Sequence, residues 1–162
     1  MRRLVSVALA LICLLLWWWW PTEEARVRAR IDGMAAALSA RSDETDLERV
    51  ARVASMAAGL APDVSVAAEG RTLDGRDAVL AASRAVAVSR RAITVSIEDA
   101  DIVLTADDTR AEARVIARID DDTGEHGYQE LTVSLRKQDG TWVVDRAFTE
   151  APLRRPGRDA SP

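Results

Sequence analysis

ITVSIEDADIVLTADDTRAEARVIARIDDDTGEHGYQELTVSLRKQDGTWVVDRAF, residues 93–148, is the stretch that decides the fold. Its apolar residues alternate with polar ones. Ile93, Val95 and Ile97 fall on odd positions; Ala100, Ile102 and Leu104 fall on even ones. Alternation of period two marks a strand with one face buried. The change of parity at Glu98-Asp99 predicts a β-bulge that bends one long strand. Ala111, Ala113, Val115, Ala117 and Ile119 predict the next strand, and Leu131, Val133 and Leu135 a third. Trp142, Val144 and Phe148 mark one side of a fourth. Asp107-Asp108 and Asp120 to Gly124 turn the chain between them, and Asp139-Gly140 is a strong hairpin signal. The opposite sides carry Arg110, Glu112, Arg114, Ile116 and Arg118, then Tyr128, Glu130, Thr132, Ser134 and Arg136. That face is polar, with opposite charges placed for cross-strand pairs.

Upstream the period changes to that of a helix. Thr22 is an N-cap with Glu23 and Glu24 in the first turn, where negative charge suits the helix dipole. Val27, Ile31, Met34, Ala35 and Leu38 then predict a helix over about 23–40. Thr45 and Glu48 form a capping box. Leu47, Val50, Ala54 and Ala57 predict the inward stripe of a second helix, which Gly59 and Pro62 stop. Val64, Val66 and Ala68 alternate as a short strand, and Gly70 to Gly75 reads as a turn-rich connection. A third helix, 76–89, turns Val79, Leu80, Ser83, Val86 and Ala87 inward. Helices followed by a bent meander predict an α+β fold: a curved antiparallel sheet with three helices on one face, cone-like in shape.

This order resembles the nuclear transport factor 2-like superfamily, which includes the SnoaL-like domains. Three local patterns carry the resemblance over about residues 23–150. Leu60-Ala61-Pro62-Asp63-Val64-Ser65-Val66 is similar to the entry into the family's first strand. Leu73-Asp74-Gly75-Arg76-Asp77-Ala78-Val79 is similar to the start of its third helix. Asp139-Gly140-Thr141-Trp142-Val143-Val144-Asp145 is similar to its final hairpin. The resemblance implies a cone with a pocket, used by some members for proton transfer or hydration and by others for binding alone.

The 162 residues divide into three parts. Leu4 to Trp20 is an apolar run behind Arg2 and Arg3, and as a helix it would be roughly 25 Å long, at the short end for a bilayer span. No small-x-small cleavage site follows it, and Cys13 lacks the small residue that precedes an acylated cysteine. Four consecutive Trp residues, 17–20, would ring a helix on all sides, as an interfacial belt does. Residues 1–21 therefore read as an uncleaved single-pass transmembrane helix, a signal anchor. It places residues 22–150 outside the cytoplasm, on the periplasmic side of a bacterial inner membrane. Residues 151–162, with three Pro and no apolar periodicity, read as a disordered tail. The segment 22–150 holds 25 acids against 17 bases, net −8. Such a charge argues against nucleic acid, whose backbone requires a basic face.

Catalytic signals are sparse. His126, the only histidine, could serve as a general base with Tyr128 beside it and Glu130 or Asp145 to orient it; the alternative is a solvated residue between Gly124 and Gly127. Family enzymes of the ketosteroid isomerase type carry an acid in or just after the first strand, and Glu69 is the nearest here. They also use a first-helix Tyr, which Met34 to Ala40 does not supply. Asp120, Asp121, Asp122 and Glu125 lack the offsets of an EF-hand and read as a solvated acidic loop rather than a metal site. No cofactor motif is present. The expectation is thus a membrane-anchored, non-catalytic binding or assembly domain. Its partners would be a small apolar ligand, a protein or a second copy in a weak homodimer. The alternative is an isomerase or hydratase using His126, Tyr128, Asp145 and Glu69.

Overall fold

The computed structural model describes residues 21–149 except 42, 69, 89–91 and 125, with backbone alone at 86–88. The anchor, Glu69, Glu125 and the tail lie outside the described residues. Among the described residues no helix is long and apolar enough to cross a membrane. The elements run α1 (Glu23–Leu38), α2 (Asp46–Gly59), β1 (Leu60–Ala68), β2 (Arg71–Asp74), α3 (Arg76–Val88), β3 (Ile93–Leu104), β4 (Arg110–Asp121), β5 (His126–Gln138) and β6 (Thr141–Thr149). One six-stranded sheet has the order β2-β1-β6-β5-β4-β3. Its pairings are antiparallel except β1 with β6, which is parallel. The sheet is therefore mixed, and the expectation of a purely antiparallel one fails at that single pair.

Local chemistry fixes the element ends. Thr22 Oγ1 accepts from Ala25 N at 3.2 Å, and Thr45 and Glu48 close both arms of the capping box. At the β5–β6 hairpin Asp139 and Gly140 have φ of 50° and 77°, the left-handed pair that a type I′ turn requires. The β3–β4 register shifts between Ile97 and Asp99, which is the bulge expected at that point. It lets Val95 and Ile97 face the helices before the bend and Ala100 and Ile102 after it.

Four details depart from the sequence reading. Residues 71–74, read as part of a connection, form β2, paired with β1 from Ser65↔Asp74 to Ala68↔Arg71. Only Leu73 of this edge strand is half-buried, so it shows no apolar alternation. The inward face of α2 is Val53, Met56, Ala57 and Gly59, not Leu47, Val50 and Ala54. Leu47 is 79% exposed and Val50 66%, because the C-terminal half of α2 packs, with Gly59 against Met34 of α1. In β6 a register shift leaves Asp145 as an extra residue, so Ala147 faces the core opposite Val133 while Phe148 lies opposite Thr132 on the outer face. Phe148 is thus not on the side of Trp142 and Val144 as expected. Finally, α1 ends at Leu38, where Ser39 and Ala40 leave the helix to bond the start of β3.

The core lies between the sheet and α1 to α3. Val27, Met56, Val64, Val115, Leu135 and Trp142 are almost fully buried. Two ends can be distinguished. At one, the β5–β6 and β3–β4 turns meet the N-terminus of α1: Lys137 N donates to Thr109 O, and Trp142 Nε1 donates to Glu23 Oε2 at 2.9 Å. At the other, the C-terminus of α1 meets the first residues of β3 and, through the Ile93↔Asp121 register, the β4–β5 turn.

Candidate functional site

Between these ends the sheet and helices enclose a cavity of about 230 Å³. Its position follows from the alternation. Ile31, Met34 and Leu38 come from the second half of α1, Val95 and Ile97 from the part of β3 before its bulge, and Val115 and Ala117 from β4. Leu131 and Val133 of β5 and Ala147 and Thr149 of β6 complete the sheet wall, and Met56 and Val79 contribute from α2 and α3. Several walls carry Ala where a core would carry a larger side chain, so apolar surfaces face one another across space. Among the described residues Thr149 is the only lining residue with a polar side chain. The mouth is bordered by Leu38, 49% exposed. The opposite end is closed by packed Val27, Ala111, Leu135 and Trp142.

The residues proposed for chemistry do not meet here. His126 is exposed at the start of β5, and Tyr128 is 40% exposed; their rings contact edge to face at 6.1 Å. Registered with Asp120 and Arg118 of β4, both lie on the outer face of the sheet. Asp145 sits at the β6 bulge beside Ser134, eight residues along β5 from His126. At about 3.4 Å per residue that is roughly 27 Å, so Asp145 cannot orient the imidazole. Its Oδ1 is buried without a hydrogen-bond partner among the described residues, and it is not part of the cavity wall. Glu130 faces Arg114 at 3.6 Å instead of His126.

The acidic β4–β5 turn does not converge either. Asp120 accepts from Arg118 at 2.8 Å, and Asp121 accepts from Thr123 N and Oγ1. Among the described residues no three His, Cys, Asp or Glu side chains are placed to hold a metal ion. Among the described residues the cross-strand charge pattern holds for Arg114 with Glu130. Arg118 pairs along its own strand, and Arg136 reaches Asp63 of β1, where the guanidinium holds the carboxyl below its usual range.

A second, open groove of about 880 Å³ lies outside α1 and α2 beside the start of β3. Of the four described acids that line it, Glu44 bonds Arg52 at 2.7 Å, and Glu48 belongs to the capping box. Both carboxyls are held below their ordinary value by these bonds, Glu44 by Arg52 and Glu48 by Thr45.

Sequence reasoning missed the Trp142 contact with Glu23, 119 residues away. The available signal was that a buried indole N–H must find an acceptor.

Solved structures share this architecture. A protein of unknown function described as NTF2-like, from Pseudomonas putida KT2440, superposes with a TM-score of 0.65 at 18% identity, covering 88% of this chain and 100% of that one. The fold is that of the nuclear transport factor 2-like proteins. A protein from Novosphingobium aromaticivorans DSM 12444 that has been assigned as a scytalone dehydratase gives 0.65 at 19% identity over 86% and 92% of the two chains. A protein of unknown function with a cystatin-like fold from Nostoc punctiforme PCC 73102 gives 0.66 at 13% identity over 82% and 93%. Identities this low establish shared architecture alone. No family model and no curated protein matches the chain.

Proposed function

We propose that the domain is a non-catalytic module that binds one small apolar molecule in the cone. In this reading residues 4–20 hold it at a bacterial inner membrane with the domain outside the cytoplasm. The observation that supports the binding role is the lining: a wall of aliphatic side chains in which, among the described residues, Thr149 alone is polar. Isomerisation and hydration both need a proton donor or acceptor within hydrogen-bond reach of the substrate. His126, Tyr128 and Asp145 are all absent from that wall. A cavity of about 150 Å³ accepts benzene, so 230 Å³ suits a molecule of one or two rings or a short branched chain.

Thermal unfolding of the full-length protein in detergent tests this, with naphthalene as the probe. Saturating probe at about 100 times its Kd should add roughly 2.7 kcal/mol. An Ala147→Phe variant, which fills the cavity, should lose the response while staying folded. An equal response in both proteins places the probe elsewhere and removes the proposal. The anchor is tested separately by membrane fractionation and the mass of the mature chain. A soluble product beginning after residue 20 removes it.

A further inference from the structure

We propose that the domain stands on the membrane with its closed end against the headgroups and its cavity mouth facing the aqueous compartment. This rests on the anchor proposed above. Only Pro21 and Thr22 separate the last Trp of the apolar run from α1. Two extended residues reach about 7 Å, so the first turn of α1 must lie at the membrane surface.

That first turn is fixed to one end of the cone. Glu23 accepts from Trp142 Nε1 at 2.9 Å, meets Lys137 Nζ at 2.9 Å through the same oxygen, and meets Arg26 at 2.8 Å through the other. The Lys137 ammonium also lies 5.4 Å from the Trp142 ring centroid, within reach of the π face. Trp142 is 3% exposed, so this carboxylate is gripped by a side chain that is itself part of the core. The helix cannot swing at Glu23 without leaving that indole N–H unpaired. The closed end therefore follows the anchor, and the β5–β6 turn at Asp139-Gly140 is carried to the membrane with it.

The mouth is at the far end of the same helix. α1 has 16 residues, so Leu38 at the cavity rim lies about 24 Å along the helix axis from the first turn. The main rival is an inverted domain that rests on Leu47 and Val50, the large side chains most exposed on α2. Inversion would require the connection to cover that helix length, and two residues cannot.

The test uses full-length protein in phosphatidylcholine vesicles, on a Cys13→Ser background that removes the only native cysteine. Gln138→Cys marks the closed end and Asp122→Cys the mouth end; both positions are exposed. Each is labelled with a fluorophore and read against headgroup spin-labelled lipid. Thr141→Cys and Thr123→Cys repeat the comparison at neighbouring sites. The expected result is several-fold stronger quenching at 138 and 141 than at 122 and 123. Co-flotation with equal or reversed quenching overturns the orientation and leaves the anchor standing. Failure to co-float overturns the anchor, and the orientation with it.

Discussion

The two ends of the cone are built on opposite rules. At the closed end an indole, a carboxylate and an ammonium satisfy one another across 119 residues of sequence, and Val27, Ala111 and Leu135 pack behind them. At the open end aliphatic walls face each other across a cavity of about 230 Å³, with almost no polar group. Both ends use the same strands. The difference lies in side-chain volume and in whether a long polar side chain reaches inward. It teaches that one end supplies the stability and the other trades packing for room. Substitutions should therefore have opposite consequences at the two ends.

The largest effect belongs to Trp142. Trp142→Ala removes a core side chain and strands the Glu23 clamp, and should cost about 3–5 kcal/mol in urea unfolding of the detergent-solubilised chain. Trp142→Phe keeps most of the volume but loses a hydrogen bond to a charged acceptor, for about 1.5–3 kcal/mol. If the two variants cost the same, the hydrogen bond and not the packing holds this end together.

Matched enlargement comes next. Ala111, 4% exposed, is hemmed in by Leu135 and Leu104 of the neighbouring strands, whereas Ala117, 3% exposed, borders the cavity. Ala111→Leu should destabilise by about 1–3 kcal/mol through overpacking. Ala117→Leu should be neutral or stabilising by about 0.5–2 kcal/mol through filling space. Equal costs at both positions would mean that the cavity collapses in solution.

These contrasts were legible in the sequence to different degrees. Caps, the Ile97–Asp99 bulge and the Asp139-Gly140 turn were readable because each is decided by neighbours within a few residues. The residues around the cavity were readable as inward by their period. That they surround space was not, because volume depends on what stands opposite: Ala117 and Ala147 look like ordinary core positions until β4, β6 and α1 are assembled. The face of α2 was misread for the same reason. Leu47 and Val50 carry the stronger hydrophobic signal, but the site where α1 packs is fixed by Gly59 and Met56. The bulge at Asp145 has no parity break strong enough to reveal it, and it moved Phe148 to the other face. For the candidate chemistry, sequence proximity joined His126 to Tyr128 correctly but could not show that both point away from the cone.

Acid should act on the closed end in two steps. Glu23 is held below its ordinary value of 4.5, first by Lys137 and then by Trp142. Asp107, in the neighbouring β3–β4 turn, falls from 3.8 to about 2 through bonds from Thr105 and Thr109. A depressed carboxylate contributes stability that is present above the unfolded value and lost as pH falls through the folded one. Stability should therefore decline below about pH 4.5 and continue to decline toward pH 2. Glu23→Gln should flatten the upper part of that limb and Asp107→Asn the lower part. Naphthalene affinity should stay constant until unfolding begins, because no titratable group among the described residues lines the cavity. A binding curve that titrates ahead of unfolding would point to a charged group at the mouth.

The smallest effect concerns the outer face of the sheet, which separates the two ends from any partner. Arg114 with Glu130, Arg118 with Asp120 and Arg136 with Asp63 are paired within one chain. Val103, Tyr128 and Phe148 are exposed on the same face, at 64%, 40% and 38%. A two-fold dimer through this face would bury those three and would also have to desolvate the pairs. Exposed ion pairs are worth only about 0–1 kcal/mol each, and most of that is already realised inside the monomer. Association should therefore be weak and should rest on the apolar side chains. Sedimentation of the full-length chain in detergent should show mostly monomer. Raising salt from about 0.1 M to about 1 M shortens the screening length from ~10 to ~3 Å, and should shift the equilibrium little. Val103→Lys should abolish whatever dimer remains. A tight dimer that dissociates in high salt would show that the charges are shared between copies; one that resists both salt and Val103→Lys would place the interface elsewhere, with the exposed Leu47–Val50 face of α2 the next surface to substitute.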